Sequence, residues 1–162
     1  MSMIKAFAPV LGEFQGEGRL ADGTDVIGVL EAREALENVA YSFRANMTAQ
    51  DNGACVLDAF FVLSNTENGG LELQFYDTRE HIHKLTWTGA GRGDRDISRH
   101  VFPFEGKRDN GANVRISFEL TSAEKCNIRY ETSGNGAQSG QWRELWSLDL
   151  DRRHALVERK AA

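Results

Sequence analysis

After Phe14 the chain reads in period two, with apolar and polar residues alternating in short runs that turn signals separate. Val114, Ile116, Phe118 and Leu120 alternate with Asn113, Arg115, Ser117 and Glu119. Cys126, Ile128 and Tyr130 alternate with Lys125, Asn127, Arg129 and Glu131. Trp142, Glu144, Trp146, Leu148 and Leu150 alternate with Gln141, Arg143, Leu145, Ser147 and Asp149. Successive side chains of a strand point to opposite faces, so each run predicts a strand with one buried face. Earlier, Val39, Tyr41, Phe43, Ala45 and Met47 share a face, and Cys55 to Leu63 is apolar on both faces apart from Asp58. Leu71, Leu73 and Phe75 share the next, followed by His81, His83, Leu85 and Trp87. The breaks fall at Asp22-Gly23, Asp51-Asn52-Gly53, Asn68-Gly69-Gly70, Asp77 to Glu80, Asp109-Asn110-Gly111 and Ser133 to Gly140, all of them turn formers.

About nine or ten strands at this spacing leave no room for crossover helices, so the expected fold is all-β and antiparallel. Closing the meander into a barrel removes its exposed edges, and more than about eight strands leaves space for a ligand. A filled two-sheet sandwich is the alternative. The 162 residues make one domain, 1–162, with no linker or repeat. One helix is expected, at the N-terminus, where Ile4, Phe7, Val10, Leu11 and Phe14 recur at spacings of three and four. Pro9 keeps it short.

Composition narrows the partners. A hydrophobic fraction of 41% with 27% charge is globular. The net charge of −5 argues against nucleic acid. No apolar run approaches the roughly 20 residues of a membrane span, and Met1 to Glu17 lacks a leader pattern. Cys55 and Cys126 have no metal-type spacing and read as buried, reduced thiols. A cytoplasmic location follows as an expectation.

The run Leu11-Gly-Glu-Phe14-Gln-Gly16-Glu-Gly18, followed by Asp22-Gly23, resembles the opening of calycin-like (lipocalin-like) barrels. The DUF1579 group and the nitrobindin-like proteins are of this kind. Phe75-Tyr-Asp77, Leu85-Thr-Trp87 and Gly140-Gln-Trp142-Arg-Glu144-Leu-Trp146 look like the middle hairpin and last strand of the DUF1579 group. The resemblance implies a hollow barrel holding a small apolar ligand. In its nitrobindin-like members it implies haem held by a late histidine, a place that only His154 could take here.

Read by alternation, the interior carries Tyr41, Phe43, Phe75, Trp87, Tyr130, Trp142 and Trp146, an aromatic surplus suited to a small apolar molecule. His81 and His83 share a strand face, with His83 as the polar contact near the mouth. A metal would need a third ligand from His100, Asp58 or Glu144, and the pair alone is a weak signal, so no metal is expected. Glu144, between two inward indoles, would be a ligand anchor or, with His83, the acid or base of an isomerase, cyclase or lyase. The binding reading leads, and the cofactor is left unknown, as is the choice between monomer and homodimer.

Overall fold

Alternation becomes burial along most of the chain. In β8 (Asn113–Ser122), Val114, Ile116, Phe118 and Leu120 are buried while Arg115, Ser117 and Glu119 face outward. The structure, a computed structural model, describes residues 3–78, 83–87, 100–107, 111–133 and 141–153. The other strands are β1 (Gly12–Leu20), β2 (Asp25–Leu36), β3 (Ala40–Ala49), β4 (Cys55–Asn65) and β5 (Leu71–Asp77). They continue with β6 (His83–Trp87), β7 (His100–Lys107), β9 (Lys125–Ser133) and β10 (Arg143–Arg152). Each pairs antiparallel with the next, and β1 pairs with β10, which closes the barrel. No described helix is long and apolar enough to cross a membrane.

The N-terminal segment, Met3–Val10, is a 3₁₀ helix. Such a helix has three residues per turn, so Ile4, Phe7 and Val10 fall on one line, and all three are buried. The expected stripe ends there, because Phe14 already belongs to β1 and points inward. The helix covers one end of the barrel: the Phe7 ring lies 4.3 Å from Phe102 and 5.6 Å from Phe104. Burying three such side chains is worth roughly 5–9 kcal/mol before ordering entropy. Arg152, at the end of β10, ties the segment down by donating to the carbonyls of Pro9 and Leu11, each at 2.6 Å. Its guanidinium also stacks 4.5 Å over the Phe14 ring.

The glycines of the opening motif have a geometric reason. Gly16 on β1 and Gly28 on β2 are register partners, and Gly18, paired with Val26, shares their inward face. With no side chains there, Leu148 of β10 reaches across β1, and its Cδ2 lies 2.5 Å from where a Cβ on Gly28 would stand. A Cβ on Gly16 would collide with the main-chain carbonyl of Asp149. The barrel therefore has one tight corner. A second irregularity is Pro103 in β7, which lacks an N–H to donate. Among the described residues β6 pairs with β7 at Thr86↔Glu105 and Trp87↔Phe104, and on its other side Pro103 faces Ser117 of β8.

Candidate functional site

Among the described residues, six aromatic side chains meet across the barrel interior. Phe43 (β3), Phe61 (β4), Phe75 (β5), Phe118 (β8), Tyr130 (β9) and Trp146 (β10) are all buried. Phe43–Phe118, with ring centroids 5.5 Å apart, and Phe75–Tyr130, at 5.3 Å, link strands that lie far apart around the barrel. The rings therefore span the lumen at this level. Phe61–Phe75, Phe75–Tyr130 and Tyr130–Trp146 follow one another at 4.9, 5.3 and 5.6 Å. Their planes turn by 36°, 30° and 37°, which makes a row of offset rings. Offset aromatic contacts add about 0.5–1.5 kcal/mol beyond area burial.

Of the aromatics expected inside, Phe43, Phe75, Tyr130 and Trp146 meet in this assembly. Phe61 and Phe118 also belong to it: Phe118 shares the inward face of β8 with Val114, Ile116 and Leu120, and Phe61 lies in a stretch that is apolar on both faces. The ladder pairs His83 with Phe75 and Trp87 with Phe104, both partners being inward residues. The side chains of His83 and Trp87, and the whole of His81 and His154, lie outside the described part of the structure.

Trp142 and Glu144 are not inside. β10 pairs Glu144 with Glu131 and Trp146 with Tyr130, which makes Leu145 an extra residue. A bulge of one residue reverses the facing of everything before it. Glu144 accordingly stands on the outer wall with 46% of its side chain exposed, 4.0 Å from Arg129. The Trp142 ring lies against the outer wall, 4.2 Å under the Arg115 guanidinium, and Arg115 in turn donates to Glu131 at 3.1 Å. Asp58, another carboxylate considered for a metal, pairs outside with Arg44 at 3.1 Å. Among the described residues no three metal-type ligands converge, and no carboxylate is buried. Cys126 is buried, whereas Cys55 is exposed, contrary to expectation.

Tyr41 is buried on the inward face of β3, paired with Glu34 on β2 and Leu63 on β4. Burial, and secondarily the nearby Glu34 carboxylate, holds its phenol above the ordinary pKa of 10.0. Two depressions lie on the outer wall. One, of about 490 Å³, is acidic and includes Glu17, Asp25, Glu144 and Asp149. The other, of about 400 Å³, is lined by Phe60, Tyr76, Arg44 and Asp58.

No family model matches the chain, and no curated protein resembles it in sequence. Solved structures do resemble it in shape. Rv2717c from M. tuberculosis superposes with a TM-score of 0.67 at 11% identity, over 93% of this chain and 97% of that one. The S-type phycobiliprotein lyase CPES from Guillardia theta gives 0.56 at 10% identity, over 95% and 93% of the two chains. At such low identity the likeness is one of fold: an antiparallel β-barrel.

Proposed function

We propose that the protein is a binding barrel for a small apolar molecule, which enters by displacing side chains of the filled interior around Phe43, Phe75, Tyr130 and Trp146. The observation that carries this reading is the continuous row of offset rings through Phe61, Phe75, Tyr130 and Trp146. Flat, polarizable surfaces of this kind favour apolar and aromatic guests. His83, whose backbone pairs with Phe75, and Trp87 complete the proposed set. Binding is preferred to isomerase, cyclase or lyase chemistry because Glu144, the candidate acid, stands on the outer wall. We assign the whole chain, 1–162, to a single calycin-like domain of the cytoplasm.

The test is a titration followed by tryptophan emission, in a Trp142→Phe background that removes the outer-wall reporter. Fatty acids, flavonoids, terpenoids and haem form the panel. Saturable quenching by at least one class, weakened by Phe75→Ala, is the expected result. If the whole panel leaves the emission unchanged, the barrel interior is not a binding site.

A further inference from the structure

The outer depression of about 400 Å³ combines exposed aromatic surface with charges of both signs. Phe60, on the outward face of β4, is 43% exposed. Its ring lies 6.3 Å from that of Tyr76, its register partner on β5, and the two form one tilted aromatic wall. On the other side, Arg44 of β3 is the register partner of Phe60. Asp58 precedes Phe60 by two residues, about 6.8 Å along the strand, and its Oδ2 accepts from Arg44 Nη2 at 3.1 Å. The frame is fixed by Thr78, whose N–H donates to the Asp58 carbonyl at 3.1 Å and whose Oγ1 accepts from the Asp58 N–H at 3.3 Å. The Tyr76 hydroxyl donates to Gln74 Oε1 at 3.0 Å, so Tyr76 offers its ring rather than its hydroxyl. Among the described residues nothing else bonds Asp58 Oδ1 or the Nε and Nη1 of Arg44. An ion pair this exposed contributes little to stability.

We propose that this depression binds a neutral pyranose sugar, with one C–H face of the ring on Phe60 and two adjacent hydroxyls on the Arg44–Asp58 pair. Charges of both signs line the depression, so a charged ligand is repelled by one as it is drawn to the other. A purely apolar guest would desolvate the ion pair and return no hydrogen bonds. A sugar ring answers both surfaces. Its C–H groups are weakly positive and suit the negative face of an aromatic ring. Each hydroxyl can accept from the guanidinium while it donates to the free carboxylate oxygen. The size agrees, since about 400 Å³ stands at the small end of ligand sites and has room for one or two sugar rings. The site lies outside the barrel and is independent of the interior function proposed above.

The test is an NMR titration of the full, nitrogen-labelled chain with methyl glucoside, maltose and cellobiose, and with cyclohexanol as a ring that lacks the hydroxyl pair. At least one of the sugars should give saturable shifts at the amides of Asp58, Phe60, Tyr76 and Thr78. Phe60→Ala and Asp58→Ala should each lower that affinity about tenfold. Phe60→Leu keeps the apolar bulk without the ring face and should lose as much as Phe60→Ala. Glu144→Gln, at the other outer depression, should change nothing. If no sugar shifts these amides at millimolar concentration, the site is overturned. Sugar binding that Phe60→Ala and Phe60→Leu leave intact, or cyclohexanol binding as tightly as the sugars, also overturns it. The same shifts on concentrating the protein alone would give this face to a second copy of the chain, against the sugar.

Discussion

The tight corner where β10 crosses β1 and β2 can be tested by restoring side chains to it. A Cβ on Gly28 would stand 2.5, 2.9 and 3.2 Å from Cδ2, Cδ1 and Cγ of Leu148. Ordinary carbon contacts are about 3.5–4.0 Å, and Leu148 is fully buried, so it has little freedom to retreat. Gly28→Ala should therefore cost about 1–3 kcal/mol by overpacking. Leu148→Ala alone should cost about 2–5 kcal/mol, from lost burial and the cavity left behind. Combined, the new methyl occupies part of the vacated space, so the double variant should cost less than the sum by about 1–3 kcal/mol. Gly16→Ala is the contrasting case. Its Cβ would collide with the main-chain carbonyl of Asp149, which cannot rotate aside, so it should cost above about 3 kcal/mol and gain nothing from Leu148→Ala. Urea unfolding followed by tryptophan fluorescence gives each value from the midpoint, provided the slope is unchanged. Additive Gly28 and Leu148 effects, or a Gly16→Ala variant within about 0.5 kcal/mol of wild type, would refute the corner as the reason for these glycines.

Glu144→Gln should leave ligand affinity and stability within about 0.5 kcal/mol of wild type, because the carboxylate is solvated on the outer wall; a tenfold loss of binding would place it inside. Arg152→Ala removes the donor to Pro9 and Leu11 and the stack on Phe14. It should cost about 2 kcal/mol and speed amide exchange in residues 3–11, and unchanged exchange there would remove its tethering role. Burial pushes the Cys126 thiol from 9.0 up to about 12, against a smaller lowering by Arg152. Below pH 9 the thiol is protonated in both states and its contribution is fully present. As pH rises from 9 towards 12 the unfolded chain loses the proton first, so stability should fall by about 1.4 kcal/mol per pH unit from this group. Cys126→Ala should flatten that part of the slope in midpoint measurements between pH 8 and 11, and identical slopes would contradict the burial.

What the sequence made legible and what it hid have the same physical origin. In a closed barrel each strand has one inward face, so β8 and β9 announce themselves wherever that face is bulky and the other polar. β2 obscures the pattern: inward Gly28 and Ala32 are small, while outward Ile27 and Val29 are apolar, because the corner leaves no inward volume to fill. β7 obscures it differently, with apolar Val101 and Pro103 alternating with Phe102 and Phe104. The costliest misreading lies in β10, where alternation runs unbroken from Trp142 to Leu150 yet the facing reverses at Leu145. Nothing in those residues encodes the reversal, since a bulge is a mismatch in count between two strands and its position depends on β9 as much as on β10. Counting from Trp146, whose partner Tyr130 is inward, recovers the correct facing and moves Glu144 and Trp142 to the outer wall. The same count applied to β3 meets no bulge between Tyr41 and Met47, so Tyr41 keeps the inward place that alternation gave it. Which polar group stands inside this barrel is thus decided by ladder pairing, one residue at a time. In the described interior that pairing keeps the phenols of Tyr41 and Tyr130, which alternation also turns inward, and removes the carboxylate of Glu144.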